Sequence, residues 1–474
     1  MSTILLETVG GSALQERLCA GLDKARTLGR PVLVSVSARV APVAPLGLYA
    51  AARARRENCV YLEWPDRKRA VVGVGAELSL HVPGAQEAGR AAQQWRSLLS
   101  DAESDAGNWG TGPVLMGGFA FDPGRPASEL WRGFPAGLLA MPRHTLASSD
   151  GESWLTTNLV VHPGDSIRDF GEDPQAQLDD LLGRARRCVD TDGDSARLEV
   201  RECASPEEWK RSVRRVVRAI QAGGVAKVAL ARAVRAVDDC QHRRIETSDV
   251  LARLRAEYPA CTIFAVARGD SCFLGASPES LVSLQDGEVR ASCLAGSRPR
   301  GITDAEDARL GSELLASAKD RREHEIVART LVETLRDACG EVWTPPEAPR
   351  LLRLHNVQHL YTPITATARE EQTVLDLVGR LHPTPAVGGF PREEAVRLIR
   401  EHEGLDRGWY AGPVGWVDAR GEGEFVVGIR SALVQGNMAT LYAGCGIVRD
   451  SDPESEYRES VLKLQPMLSA LGGV

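Results

Sequence analysis

Two pairs of acidic residues, each on a predicted helix, are the residues of this chain best suited to bind a metal ion. Glu456 and Glu459 are three residues apart, and Lys463 follows four residues later, so the three side chains share one helix face. Asp320 and Glu323 have the same spacing in the segment KDRREHEIV. Carboxylates this close repel each other unless a cation lies between them, and Mg²⁺ prefers oxygen ligands. The spacing therefore predicts an enzyme that holds an anionic substrate through a magnesium ion.

Lysine is rare in this chain, which makes each retained lysine informative. A lysine can lose its proton and act as a base, whereas an arginine cannot. Lys227 lies on a predicted strand whose same face otherwise carries small residues, and burial there would favour the neutral amine. We therefore predict Lys227 as a general base, the alternative being a lysine that extends to solvent from a strand end. Only six of the 57 basic residues are lysine: Lys24, Lys68, Lys210, Lys227, Lys319 and Lys463.

Three further positions could bind or protonate an anionic substrate. Glu279 follows a Ser-Pro turn after a predicted strand, a usual place for a general acid, although Ser-Pro-Glu is also a common helix start. Arg430 ends the predicted strand FVVGIR, and its guanidinium could bind a carboxylate through two hydrogen bonds. Gly444 and Gly446 would let backbone N–H groups approach an anion.

Composition excludes several classes of protein. A chain of 474 residues with 43% hydrophobic residues can bury a large core, and a net charge of −7 gives no support to a nucleic-acid partner. No apolar run approaches the ~20 residues of a membrane span, and the N-terminus lacks the pattern of a secretory signal. The ten cysteines form no CxxC pair and are expected to be free thiols. We therefore expect a cytoplasmic protein.

Long strands interleaved with helices predict a mixed α+β fold rather than a strict βαβ alternation. Residues 1–190 show short apolar runs typical of strands, and the polar segment 189–197 is the predicted internal boundary. A capping box at Ser205 begins a helix that Gly223 ends. Further helices are predicted at 310–336, 392–402 and 453–465, the last with Asp452 as N-cap and Pro453 as first residue.

Nine segments of this chain, in this order, resemble motifs of the chorismate-utilising enzymes. They are KVALAR, GASPESL, LAGSRPRG, KDRREHEIV, VQHLYTPI, LHPTPAVGGFP, YAGPVGW, FVVGIR and AGCGIVRDSDPESEYRES. The resemblance implies one large α+β domain with two β-sheets flanked by helices and an active site in the cleft between them. Residues 1–195 would be a β-rich part that completes the fold, and 196–474 the chorismate-binding catalytic core.

Within that family, the residue at the position of Lys227 separates two kinds of chemistry. Members similar to isochorismate and salicylate synthases carry a lysine that activates water, whereas amine-transferring members lack it and usually need a glutaminase partner. The resemblance thus implies an isochorismate synthase that is a monomer or homodimer without a glutaminase subunit. Ala386 stands where salicylate synthases tend to have threonine, and Ala295 where aminodeoxychorismate synthases often have lysine. The remaining alternatives are a salicylate synthase, an anthranilate synthase component and a chorismate-binding protein without activity.

The resemblance also implies a role for each matching residue. Lys227 would take a proton from the water that attacks carbon 2 of chorismate, and Glu279 would protonate the hydroxyl leaving carbon 4. Glu323 and Glu456 would bind Mg²⁺, with Asp320 and Glu459 in support through water; Asp320 is shorter than the glutamate of some relatives. Ser297 replaces a common threonine and keeps its hydroxyl. The substrate-binding residues would be Gly296, Ser297, His359, Ala386, Tyr410, Arg430, Gly444, Gly446 and Lys463.

Overall fold

The computed structural model describes most of the chain. The described residues are 11–105, 107–125, 128–170, 180–185, 198–238, 244–345, 347 and 349–472. The predicted boundary at 189–197 lies outside the described residues, so the division at 195 stays a prediction.

The α-helices carry apolar stripes that pack against the sheets. In the helix that begins at the predicted capping box, the stripe consists of Trp209, Val213, Val216 and Ile220, all buried. Burying one such side chain contributes about 1.5–3 kcal/mol. The helices of the described residues are α1 (Gly11–Leu28), α2 (Pro45–Ala54), α3 (Ala88–Leu99), α4 (Pro206–Ala222), α5 (Thr247–Glu257), α6 (Asp304–Ala316), α7 (Ala318–Ala338), α8 (Val374–Leu381), α9 (Arg392–His402) and α10 (Pro453–Ala470).

The strands are mostly short and rich in Val, Leu and Ala, as buried strands tend to be. They are β1 (Val32–Val40), β2 (Cys59–Trp64), β3 (Arg69–Val74), β4 (Leu78–His81), β5 (Glu103–Ser104), β6 (Leu115–Phe119), β7 (Gly137–Met141), β8 (His144–Ser149), β9 (Glu152–Val161), β10 (Leu198–Glu202), β11 (Lys227–Asp238), β12 (Thr262–Arg268), β13 (Ser271–Ser277), β14 (Ser280–Gln285), β15 (Glu288–Pro299), β16 (Val342–Trp343), β17 (Arg350–Arg353), β18 (Val357–Thr367), β19 (Gly389–Phe390), β20 (Pro413–Val417), β21 (Gly423–Val427), β22 (Ser431–Gln435) and β23 (Met438–Ile447).

The strands form two sheets, and both sheets contain strands from either side of residue 195. Sheet one has the order β10-β11-β23-β22-β13-β12-β2-β3-β8-β9-β1-β5, and β19 also pairs with β11. Sheet two has the order β16-β18-β15-β14-β21-β20-β6-β7-β4, and β17 also pairs with β18. Helices flank the sheets, so the predicted α+β fold is confirmed.

The hydrophobic core lies in two main layers. One cluster of buried residues lies between the sheets and contains Phe273 of sheet one and Phe425 of sheet two. A second cluster lies on the other face of sheet one, where α2, α5 and α10 cover it with residues such as Leu48, Leu251 and Leu464. None of the helices in the described residues combines the length and apolar composition that a bilayer-spanning segment requires.

Most predicted elements are confirmed, with two corrections. The helix 392–402, the N-cap at Asp452 and the capping box at Ser205 lie where they were predicted. The helix predicted over 310–336 is wrong as one element, because it is two helices separated at Ser317, whose hydroxyl caps α7. The predicted strand FVVGIR ends at Val427, and Arg430 follows outside it.

Candidate active site

A cavity with about 710 Å³ of empty space, including its open mouth, lies between the two sheets. Strands β11 and β23 of sheet one form one wall, and β15 and β18 of sheet two form the opposite wall. Most residues that the sequence singled out line this cavity. They are Glu279, Gly296, Ser297, Glu323, His359, Ala386, Tyr410, Arg430, Gly444, Gly446, Glu459 and Lys463.

Lys227 lies at the start of β11 and is completely buried. Its ammonium nitrogen is 3.0 Å from Oε1 of Glu323 on α7, a partner that the sequence did not predict. Gly446 on the neighbouring strand makes room for this ion pair. A Cβ atom at Gly446 would lie 2.1 Å from Oε1 of Glu323 and 2.7 Å from Cε of Lys227. Because Gly446 has no side chain, Lys227 and Glu323 can lie this close to β23.

Glu279 lies in the turn between β13 and β14, and only 4% of its surface is exposed. Burial raises the pKa of its carboxyl group to about 7, although the nearby charges of Lys227, Lys463 and Arg430 partly offset the effect of burial. A carboxyl group with this pKa is partly protonated at neutral pH. Glu279 can therefore donate a proton, as a general acid must.

His359 on β18 is hydrogen-bonded to two other residues of the cavity wall, Arg430 and Ser297. Arg430 lies 3.2 Å from Nε2 of His359, and Oγ of Ser297 lies 2.9 Å from Nδ1. Because arginine can only donate, Nε2 accepts and Nδ1 carries the proton. Burial and the adjacent Arg430 hold the pKa of His359 well below its usual range, so the imidazole is neutral. The side chain thus holds the guanidinium of Arg430 at the cavity wall.

Two residues of this wall have left-handed backbone conformations. Arg430 has a φ of 52°, which is uncommon for a residue with a side chain. Gly296, with a φ of 79°, forms a β-bulge in β15 at which the pairing with β18 shifts. Both residues line the cavity, and strained backbone conformations often occur at functional sites.

The cavity narrows at β23 and α10, where two tyrosines stack. The rings of Tyr410 and Tyr442 are 4.9 Å apart and nearly parallel. Lys463 donates a hydrogen bond of 2.9 Å to the carbonyl oxygen of Gly444 and pairs with Glu459 at 2.6 Å. Lys463 and Tyr410 both line the cavity, so a cation and a phenol are available there to bind anionic groups.

Each of the four carboxylates predicted to bind metal has a basic partner. Glu323 of α7 lies close enough to Glu456 of α10 to affect its charge, as does Glu459 on the same helix as Glu456. The pairs are Glu323 with Lys227 at 3.0 Å, Asp320 with Arg298 at 3.5 Å, Glu456 with Lys319 at 2.5 Å, and Glu459 with Lys463 at 2.6 Å.

These carboxylates fit a divalent cation in spite of their basic partners. Oδ2 of Asp320 and Oε2 of Glu456 are buried without a hydrogen-bond partner, which is costly unless another ligand satisfies them. Burial and the neighbouring Glu459 raise the pKa of Glu456 to about 7, and burial raises the pKa of Asp320. Cys445, Glu456 and Glu459 also place potential ligand atoms within 4.8 Å of one another. Carboxylate oxygens are the donor set that Mg²⁺ prefers.

Arg407 lines the cavity and was missed from the sequence. Its side chain is 4% exposed, pairs with the fully buried carboxylate of Glu403, and donates to the carbonyl oxygens of Val387 and Ala229. Glu403 in turn accepts from the backbone N–H of Ala231 at 2.7 Å. These contacts of Arg407 and Glu403 connect β11, the loop that contains Ala386 and Val387, and the end of α9. One arginine among so many carried no signal in the sequence.

Comparison with known proteins identifies the family. The family model described as chorismate binding enzyme matches residues 20–472. This chain belongs to the chorismate-binding enzymes. The salicylate biosynthesis isochorismate synthase of Pseudomonas aeruginosa is 39% identical, over 98% of this chain and 95% of that protein. The isochorismate synthase MenF of Bacillus subtilis is 36% identical, over 95% of this chain and 96% of that protein.

Solved structures of chorismate-binding enzymes share the architecture. MenF, the menaquinone-specific isochorismate synthase from Escherichia coli, matches with a TM-score of 0.75 and 25% identity, over 96% of this chain and 100% of that one. The predicted resemblance to the chorismate-utilising enzymes is thereby confirmed.

Proposed function

We propose that this chorismate-binding enzyme is an isochorismate synthase, an isomerase that moves the ring hydroxyl of chorismate from carbon 4 to carbon 2. The observation that supports this most is a buried, protonatable carboxyl group in the cavity wall, with a buried lysine close enough to affect its charge. Two relatives that match nearly the whole chain are named isochorismate synthases. The same cavity is thus equipped for one base and one acid, the two groups that the reaction needs.

In the proposed reaction, Lys227 acts as the neutral amine and takes a proton from water while the water oxygen bonds to carbon 2. The ring double bonds shift, the bond from carbon 4 to its hydroxyl breaks, and Glu279 gives its proton to the departing oxygen. One water enters and one water leaves, so the net reaction is an isomerisation. Afterwards Lys227 carries a proton that Glu279 has lost, and proton exchange resets the pair.

The other cavity residues would bind the two carboxylates of chorismate. Arg430, oriented by the neutral His359, and Tyr410 would bind the enolpyruvyl carboxylate. Glu323 and Glu456 would hold Mg²⁺, with Asp320 and Glu459 in support, and the ion would neutralise and position the ring carboxylate. Gly296, Ser297 and Ala386 would contact the ring, while Gly444, Gly446 and Lys463 would lie at the metal-bound end.

A water nucleophile needs no ammonia, so we propose that the protein works without a glutaminase subunit. Each cysteine among the described residues is a free thiol, which supports a reducing, cytoplasmic location.

Product analysis tests the proposal. Purified protein is incubated with chorismate and Mg²⁺, with and without an ammonium salt, and the products are separated by chromatography. Isochorismate formed without ammonium is the expected result, and Lys227→Ala should abolish it. Salicylate with pyruvate would instead show that the enzyme also eliminates the side chain. Anthranilate formed only with ammonium would refute the role of Lys227 as a water-activating base.

A further inference from the structure

Lys319 occupies the approach to the acidic residues of the proposed metal site. Its ammonium nitrogen lies 2.5 Å from Oε1 of Glu456, whose side chain is 1% exposed, while Oε2 of the same carboxylate has no hydrogen-bond partner. The ammonium also interacts electrostatically with Glu323 and Glu459. One lysine therefore faces three of the four carboxylates that the proposed function assigns to the metal and its surroundings.

The other two lysines of this cluster are held more firmly. The Lys227 side chain is fully buried, and Lys463 is bound both by Glu459 and by the Gly444 carbonyl oxygen. By contrast, the Lys319 side chain is 29% exposed and, in the described residues, Glu456 is its only hydrogen-bond partner. Lys319 can therefore turn into solvent when another cation takes its place beside the buried carboxylate of Glu456.

The position of Lys319 does not serve its own helix. Ser317 is the N-cap of α7, so Lys319 lies in the first helical turn. Helix N-termini favour acidic side chains, and a positive charge there is unfavourable. Its placement is explained by the carboxylates that it faces rather than by the stability of α7.

We propose that Lys319 is a positioning residue that holds Glu456 in the metal-free enzyme and is displaced when a divalent cation binds. The ammonium and the cation neutralise the same carboxylates, and their like charges exclude simultaneous binding at Glu456. Lys319 thus competes with the metal and sets its affinity. This inference rests on the proposed function, because it takes the carboxylates as the metal site.

Calorimetric titration of Mg²⁺ into the full-length, chelator-treated protein without chorismate tests this inference. Lys319→Met keeps the length of the side chain and removes the charge, so we expect Mg²⁺ to bind about fivefold more tightly, the upper end for a partly exposed ion pair. Lys319→Arg keeps a positive charge that competes with the ion, so this variant should bind Mg²⁺ with an affinity close to that of the wild type. Should Lys319→Met not fold, as judged by its thermal melt, Lys319→Gln carries the same expectation.

Lys210→Met is the matched control. Lys210 pairs with Glu454 of α10 at 2.9 Å, so this change also removes one positive charge beside α10 but leaves the acidic cluster intact. It should leave Mg²⁺ affinity unchanged. Unchanged or weaker Mg²⁺ binding in Lys319→Met would overturn the inference, as would equal tightening in Lys210→Met. Product analysis of the wild type separates the two claims: isochorismate formed by a protein whose Lys319 variants bind Mg²⁺ like wild type would refute only the role of Lys319.

Discussion

Opposing effects set the protonation of Glu279. Burial favours the neutral acid, whereas the positive charges of Lys227, Lys463 and Arg430 favour the carboxylate, and the effect of burial is the larger. The resulting pKa of about 7 lies where a general acid works best near neutral pH. The same positive charges would also attract an anionic substrate, so the residues that bind it also tune the acid.

The raised pKa of Glu279 predicts how activity depends on pH. Only the protonated carboxyl group can donate, and its fraction falls once the pH exceeds the pKa of about 7. We therefore expect kcat/KM to decrease above neutral pH, by about tenfold per pH unit well above the pKa. Isochorismate formation measured from pH 5.5 to 9, values chosen about the pKa, gives the profile.

Glu279→Gln tests whether Glu279 causes the decrease in kcat/KM above neutral pH. The amide keeps the shape of the side chain but has no acidic proton, so kcat should fall by about 10²–10⁴-fold while Mg²⁺ binding is retained. The residual activity should lose the decline above neutral pH. A variant that keeps wild-type turnover would remove Glu279 from the role of general acid.

Gly446 controls the geometry of the proposed base. Because an added Cβ would clash with Oε1 of Glu323 and Cε of Lys227, Gly446→Ala should push the pair apart and lower kcat. Gly444→Ala is a milder change on the same strand, since its Cβ would lie 3.1 Å from the Tyr410 hydroxyl oxygen. We expect the loss of kcat to be larger at Gly446, measured on proteins with similar thermal melts. Equal losses would show that crowding of the cavity, not displacement of the pair, is responsible.

Lysine usage was the sequence signal that located single residues best. Three of the six lysines, Lys227, Lys319 and Lys463, pair with predicted site carboxylates. Lys319 lay within a quoted motif but was assigned no role. Its carboxylate partner belongs to a different helix, more than a hundred residues further along the chain. No local spacing could reveal that contact.

At the scale of elements, the Glu403–Arg407 pair fixes three segments around the cavity. Glu403→Gln would leave the buried guanidinium of Arg407 without its counter-charge. Breaking a buried pair from one side is strongly destabilising, so we expect a loss of about 3 kcal/mol in the free energy of unfolding. Denaturant unfolding followed by circular dichroism measures it.

Glu401→Gln on the same helix is the matched control for that change. Glu401 pairs with Arg397, but both side chains are about half exposed, at 47% and 50%. Exposed pairs contribute little, so the free energy of unfolding should not change measurably. If both variants had the free energy of unfolding of the wild type, the Glu403–Arg407 pair would not stabilise the fold.

Elements with strong contrast between apolar and polar positions could be predicted, and those without it could not. The strand VLVSVSARV and the helix α4 stand out by their apolar residues. Helix α3 was missed because its buried stripe is mostly alanine, with Ala88, Ala91 and Ala92 beside Trp95. The break at Ser317 was missed because both flanking segments favour helix, although a serine that can cap the second helix is a local signal for it.

At the scale of the whole molecule, the two parts of the chain share both sheets. Strand β2 pairs with β12 along sheet one, and β6 pairs with β20 along sheet two. Aromatic contacts also link the N-terminal part to residues of the cavity wall. Trp131 lies 5.9 Å from Tyr442, which stacks on Tyr410 in the cavity wall. The part of the chain after residue 195 therefore depends on the N-terminal part for the packing behind the cavity.

This sharing predicts that residues 196–474 do not fold alone. Without residues 1–195, strands β12 and β20 would each lose a neighbour and expose an apolar edge, which promotes aggregation. We expect the isolated fragment 196–474 to be insoluble or to lack a cooperative unfolding transition. Co-expression with a separate chain 1–195 should restore a soluble complex that forms isochorismate. Size-exclusion chromatography and thermal melts of each preparation measure the outcome.

Full-length protein cleaved once within 189–197, at an introduced protease site, is the control for the missing covalent link. Its two pieces should stay together, because the strand pairs and the core between the sheets hold them without the peptide bond. A fragment 196–474 that is monomeric and unfolds cooperatively would contradict the prediction. It would show that the second part of the chain is an independent domain and that the shared strands only extend it.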